Sequence, residues 1–225
     1  MKILLLDKNH PLITEQLSEK GFVLEEDFSS SYEQVLEKIH LYEGVIIRSR
    51  IPLDAHFLEK AKNLKFIARV GAGMENIDIA KAQKLGIKLI NSPEGNKDAV
   101  AEHVIGTLLV LMNRLFISSN EVKKGIWLRE ENRGEEILGK TFGIIGYGNM
   151  GKAVAKRLSG FGCKTIFYDI KPNLSDEFAT QVSLQELQEN ADILSLHTPL
   201  TEDTLYMIDE EFISKMKKNF YFIST

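Results

Sequence analysis

The chain has 225 residues, 44% hydrophobic and 27% charged, a balance that suits a globular protein and excludes disordered, collagenous and fibrous chains. Lys and Arg total 28 against 32 Asp and Glu, so the formal charge is -4 and there is no basic excess to hold nucleic acid. The single cysteine, Cys163, excludes an intrachain disulfide and a cysteine-built zinc site, and it suits a reducing, cytoplasmic setting.

The amino terminus, Met1 to Asp7, has too short an apolar run for a signal peptide and reads as a first strand. Further strands are expected near 22 to 25, 44 to 48, 65 to 69 and 87 to 90, with helices near 11 to 20, 31 to 41, 54 to 61 and 76 to 85. Gly44-Val45-Ile46-Ile47 is apolar without alternation, as in a parallel strand covered on both faces. Gly21, Gly86 and Gly160 each stop a helical stretch just before a new apolar run, which is the punctuation of repeated βα units. Asp98 to about Ser119 reads as one long helix capped by Asp98, followed by a polar, turn-prone stretch to Gly139. Its apolar segment, Val104 to Met112, is about half a membrane span, so no membrane association is expected. A second βα series follows, with strands near 141 to 146, 164 to 168, 192 to 196 and 220 to 224. The expected domains are 1–97 and 98–225.

Thr141 to Ala155 reads as an apolar strand, a GxGxxG turn made by Gly146, Gly148 and Gly151, and the start of an amphipathic helix. The first glycine permits the tight turn, the second lets backbone approach a diphosphate, and the third allows helix to lie close on strand. Asp169 ends the next strand, 18 residues after Gly151. A carboxylate there accepts hydrogen bonds from ribose hydroxyls and repels a 2′-phosphate, which points to NAD rather than NADP. The plainer alternative is that the glycines only shape a turn and Asp169 only caps a loop.

Four blocks make the sequence resemble the D-isomer-specific 2-hydroxyacid dehydrogenase family: Arg69 to Asp78, Gly95 to His103, Leu138 to Asp169, and Ala191 to Thr201. The resemblance implies an α/β chain, a flavodoxin-like substrate domain (its first portion) followed by a doubly wound Rossmann domain that binds NAD. It also implies hydride transfer between the nicotinamide and C2 of a small anionic D-2-hydroxy or 2-keto acid, with D-3-phosphoglycerate as first choice and hydroxypyruvate or glyoxylate next. The cofactor contacts implied are Val100, Gly146, Tyr147, Gly148, Asn149, Met150, Gly151, Asp169, Ile170, His197, Thr198, Pro199, Thr204 and Thr225. For the substrate anion they are Arg48, Ser49, Gly71, Ala72, Gly73 and Asn96. A homodimer through 101–140, including Trp127, is expected, and no metal. The family's catalytic Arg, Glu and His are expected after Thr225. Both domains are thus expected to be incomplete at their carboxyl ends, and the chain alone to bind NAD weakly and turn over nothing. A non-catalytic NAD-sensing protein of the corepressor type is the alternative.

Some residues invite other readings. Ser195, His197 and Asp192 carry the ingredients of a hydrolase triad, but their spacing on a strand does not make a relay, and a structural or cofactor-facing role is expected. Glu102 and His103 are neighbours on a helix and diverge, so His103 is expected to be buried between domains rather than catalytic.

Overall fold

The computed structural model describes residues 1–225, which divide into two compact units, Met1–Asn96 and Lys97–Thr225.

The first unit alternates β1 (Lys2–Leu5), α1 (Pro11–Glu19), β2 (Val23–Glu26), α2 (Tyr32–Lys38), β3 (Gly44–Ile47), α3 (Ala55–Lys60), β4 (Phe66–Arg69), α4 (Ile79–Lys84) and β5 (Lys88–Ile90). All strand pairs are parallel, in the order β2-β1-β3-β4-β5. Side chains alternate across the sheet: Leu4 and Leu6 bury with Val45, Ile47 and Phe57 on one face, while Ile3, Leu5 and Ile46 bury against Ile13 and Leu17 of α1 on the other. Two covered faces account for the unbroken apolar runs. Each helix start carries a local signal: α2 has a capping box of Ser31 and Gln34, and the Asp54 and Asp78 carboxylates cap α3 and α4. Gly86 turns the chain from α4 into β5 at φ 72, a conformation that glycine adopts without steric cost.

The second unit comprises α5 (Lys97–Met112), α6 (Leu115–Lys123), β6 (Thr141–Ile145), α7 (Asn149–Leu158), β7 (Lys164–Tyr168), β8 (Thr180–Gln181), α8 (Leu184–Asn190), β9 (Ile193–Leu196), α9 (Glu210–Lys215) and β10 (Tyr221–Ser224). Its parallel sheet runs β10-β9-β6-β7-β8, so the strand order reverses between β6 and β9. α5 and α7 cover one face, burying Val104, Leu108, Val154 and Leu158 with Ile144. On the other face Leu187 of α8 and Phe212 of α9 bury with Ile145, Ile166 and Leu194.

The long helix expected from Asp98 to Ser119 is in fact two. The break lies at Asn113 and Arg114: Arg114 takes the left-handed conformation at φ 52, and the axes of α5 and α6 differ by 58°. The Asn113 amide bonds back to the Leu109 carbonyl at 3.1 Å, closing the end of α5. α6 then runs to Lys123, into the stretch expected to be a polar turn. Asp98 lies inside the first turn of α5, where its carboxylate meets Arg157 of α7 at 3.0 Å instead of capping. No single helix is long and apolar enough to cross a membrane.

Candidate functional site

Beyond the carboxyl ends of β7, β6 and β9 the second unit opens a cavity of about 780 Å³, within the usual range for a small-molecule or cofactor site. It lies beside the point where strand order reverses, the place where doubly wound sheets hold ligands. The rim strands are lashed together by main-chain bonds from Gly146 N to Tyr168 O (2.9 Å) and from His197 N to Ile145 O (2.8 Å).

Gly146 leaves β6 at φ 90, and a Cβ there would lie 2.7 Å from the His197 carbonyl oxygen, so the turn requires glycine twice over. Gly148 is the N-cap of α7 and offers no side-chain cap to the first amides of that helix. A Cβ on Gly148 would meet nothing within 4 Å. The open space and uncapped amides fit a diphosphate, which needs close backbone approach and NH donors at a helix N-terminus. Gly151 is buried, with the Gly146 carbonyl oxygen 2.3 Å from where its Cβ would be, so it serves helix-on-strand contact and does not line the cavity.

Asp169 stands across from this turn. Its Oδ2 accepts the Tyr147 NH at 2.7 Å and its Oδ1 accepts the Lys171 NH at 2.9 Å. Two oxygens offer about four acceptor positions, so two remain for outside donors such as ribose hydroxyls. Ile170, 87% exposed, supplies an apolar wall beside it. Asn149, His197, Thr198, Pro199 and Thr204 also line the cavity. Thr204 staples its loop, donating to the Pro199 carbonyl at 2.6 Å and accepting the Thr201 NH at 2.8 Å.

Three further residues expected to contact the cofactor stand outside this lining. Val100 is part-buried on α5, Met150 sits in the first turn of α7, and neither lines the cavity. Thr225 does not line it either, but its Oγ1 meets His197 Nδ1 at 3.0 Å. Tyr147 contributes main chain only: its ring is buried, stacks on Phe167 at 3.7 Å between centroids, and donates its hydroxyl to Asp176 at 2.8 Å. Burial first, then the Asp176 carboxylate, push its phenol above the usual range. The inward ring follows from its place between a core strand and the turn, which an isolated x in GxGxxG does not announce.

Ser195 and His197 do touch, with Oγ 2.8 Å from Nε2, because His197 has left the strand and its ring folds back. The fully buried Ser195 has no route to a substrate, and Asp192 faces away toward Thr141 N and Lys218. These three residues make no relay. Burial lowers the His197 pKa to about 4, so the ring is neutral at physiological pH. His103 is exposed on α5.

In the first unit Arg48 and Ser49 follow β3 and are exposed, next to the end of β4. Gly71, Ala72 and Gly73 follow β4. Gly71 NH is spent on the Arg69 carbonyl at 3.0 Å, which leaves the Ala72 and Gly73 amides as the loop's donors. The Gly71 and Ala72 carbonyls are held by Ser92 N and the Asn91 side chain at 2.9 and 2.7 Å. Asn96 is exposed at the end of the unit. Arg69, not singled out by motif, sends Nε to the Arg48 carbonyl at 3.1 Å and adds a second guanidinium to this strand end. Lys152 and Lys171 were likewise missed and line the cavity of the second unit. Their spacing was a usable signal, since Lys152 lies one helical turn beyond Gly148 and Lys171 two residues beyond Asp169.

Residues 105–225 match the family model described as D-isomer specific 2-hydroxyacid dehydrogenase, NAD binding domain. The chain is 38% identical over 193 residues to hydroxypyruvate reductase of Thermotoga maritima, covering 86% of this chain and 63% of that protein. It is 36% identical to D-3-phosphoglycerate dehydrogenase of Methanocaldococcus jannaschii, covering 97% of this chain and 42% of that one. The chain therefore spans less than two thirds of the length of these relatives. Among solved structures it is similar to NAD-dependent formate dehydrogenase from Staphylococcus aureus in complex with NAD, with TM-score 0.86 and 26% identity over 100% of this chain and 73% of that one.

Proposed function

Given that this chain belongs to the D-isomer specific 2-hydroxyacid dehydrogenase family, whose NAD-binding domain it carries, we propose that the whole protein is an NAD-dependent oxidoreductase acting on a small D-2-hydroxy acid or its 2-keto acid. The observation that carries this reading is the juxtaposition of Asp169 with the open helix N-terminus at Gly148 on one cavity wall. Gly148 and Asn149 would hold the diphosphate through main-chain NH groups, Asp169 the adenosine ribose, and Ile170 the adenine face. His197, Thr198 and Pro199 would shape the opposite end, where the neutral imidazole, held between the Ser195 and Thr225 hydroxyls, keeps a fixed orientation. When bound, NAD supplies the acceptor or donor of the hydride.

The Arg48 guanidinium, Ser49, the Ala72 and Gly73 amides beside Gly71, and Asn96 are the groups we assign to the substrate anion. D-3-phosphoglycerate is the first candidate substrate, then hydroxypyruvate and glyoxylate. We assign a homodimer contact to 101–140: Phe116 is 72% and Trp127 77% exposed, with Val110, Leu111 and Ile126 also exposed on the same helices and following loop. Such a concentration of apolar surface marks an association site. Steady-state oxidation of NADH by the full-length protein, with a panel of 2-keto acids and the reverse reaction on D-3-phosphoglycerate, tests the activity; turnover of none of them refutes it.

A further inference from the structure

We propose that Gln181 is a positioning residue for dinucleotide selection: its carboxamide fixes the loop that carries Asp169, and with it the preference for NAD over NADP. The inference rests on the reading of the second-unit cavity as the NAD site. Two lysines, Lys152 and Lys171, line that cavity together with Asp169 and Asp203, so the wall as a whole does not repel an added phosphate. Selection then depends on where one carboxylate, that of Asp169, is held.

Asp169 opens a segment that leaves β7 and returns at β8 with no helix in it. β8 itself is only Thr180 and Gln181, paired with Ile166 and Phe167 at the sheet edge. From this short edge the Gln181 side chain organises the near half of the loop. Its Nε2 donates to the Lys171 carbonyl at 2.7 Å and to the Asp169 carbonyl at 3.4 Å, and its Oε1 accepts the Leu174 NH at 2.9 Å. The Gln181 main-chain NH donates to Ser175 Oγ at 2.9 Å. A carboxamide alone among uncharged side chains of this length supplies two donors and an acceptor together. Leucine supplies none of them, and glutamate sets a carboxylate against the Asp169 and Lys171 carbonyls.

The far half of the loop has a separate anchor. Asp176 Oδ1 accepts the Tyr147 hydroxyl and the Phe178 and Ala179 amides at 2.8, 2.9 and 3.1 Å. Replacement of the Gln181 side chain therefore releases the main chain at Lys171 and Leu174 and loosens the Asp169 carbonyl, while the Ser175 and Asp176 anchors stay. With Lys171 released, the Asp169 carboxylate loses the fixed Lys171 NH and keeps the Tyr147 NH alone, so its hold beside the glycine turn slackens and the Lys171 side chain can turn to a 2′-phosphate.

The test is titration of NADH and NADPH, read by nicotinamide fluorescence, into the full-length protein and into its Gln181→Leu and Gln181→Glu variants, with thermal melts alongside. The parent is expected to prefer NADH by at least about tenfold. Gln181→Leu is expected to weaken NADH about tenfold, the scale of one or two lost hydrogen bonds, while NADPH holds or tightens, so the ratio collapses. Gln181→Glu is expected to behave alike and serves alone if the leucine variant does not fold. An unchanged ratio, with both affinities reduced together or only the melting temperature lowered, overturns the inference and leaves Gln181 a stabilising residue. A parent that binds neither dinucleotide, or prefers NADPH, overturns the cofactor reading and this inference with it.

Discussion

The glycine turn yields a paired prediction in which stability and cofactor affinity separate. In Gly148→Ala the new methyl meets no atom within 4 Å, and the φ of -83° suits alanine. Alanine is a poorer N-cap than glycine but has less unfolded-chain entropy to lose, and these terms, each about 0.5 to 1 kcal/mol, oppose one another. Unfolding stability is expected to stay within about 0.5 kcal/mol of the parent. The methyl stands where a diphosphate must approach, so one or two charge-assisted hydrogen bonds of about 1.5 to 3 kcal/mol each are lost and affinity for NADH falls at least about tenfold. Gly151→Ala is the opposite case. Its methyl would lie 2.3 Å from the Gly146 carbonyl oxygen and 3.2 Å from Ile144 Cγ2, both buried, and the backbone oxygen cannot swing aside. Overpacking of this kind costs about 1 to 3 kcal/mol, and the shifted turn loses NADH as well. Urea unfolding followed by far-ultraviolet circular dichroism, with NADH titration of each variant, measures both quantities. A Gly148→Ala protein that keeps its affinity removes the diphosphate from the Gly148 turn, and a Gly151→Ala protein as stable as the parent removes the close packing assigned to Gly151.

Three further outcomes follow from other parts of the molecule. Because burial lowers His197 to about 4, the unfolded imidazole takes up a proton below about pH 6.5 while the folded one does not. Its contribution to stability is complete above that pH and is lost as pH falls toward 4. Between pH 6.5 and 5 the loss is about 2 kcal/mol, and denaturant titrations should show that slope flattened in His197→Asn. Glu25, held at about 2 beside Tyr42, Lys2 and Lys38, loses its contribution only below its unfolded value of 4.5 and does not blur this window. Arg48→Ala in the full-length protein should raise the KM for the acid about tenfold or more with little change in NADH affinity; an unchanged KM removes Arg48 from the anion site. Phe116→Glu should convert a dimer to a monomer by gel filtration at micromolar concentration, and a parent that already elutes as a monomer removes the dimer assignment.

The strands were legible because burial on both faces makes them continuous apolar runs, and helix stops were legible where glycine must take a positive φ, as at Gly86. The glycine turn and Asp169 could be read because a strand, a turn, a helix and a second strand had to follow in fixed order. The break at Asn113 and Arg114 escaped, since apolar residues continue across it and a left-handed arginine has no compositional mark. Two-residue β8 is too short to show a period, so the role of Gln181 came from its hydrogen bonds alone. The Ser195 and His197 contact was not legible because strand spacing was applied to the pair although His197 lies past the strand end: β9 ends at Leu196, and the next side chain is free to fold back. Arg69 lies in the block Arg69 to Asp78, whose glycines alone suggest an anion loop; its place at the end of β4 beside Arg48 is what marks it as a second anion-binding group.

In the proposed site the turn at Gly146 to Gly151 and the Asp169 carboxylate hold NAD and disfavour NADP. Calorimetric titration of the full-length protein with NAD and NADP in the same buffer addresses it most directly. One NAD bound per chain, at least about tenfold tighter than NADP, is the result expected from a single carboxylate facing a 2′-phosphate. Absence of NAD binding, or tighter binding of NADP, rules out this assignment of the site.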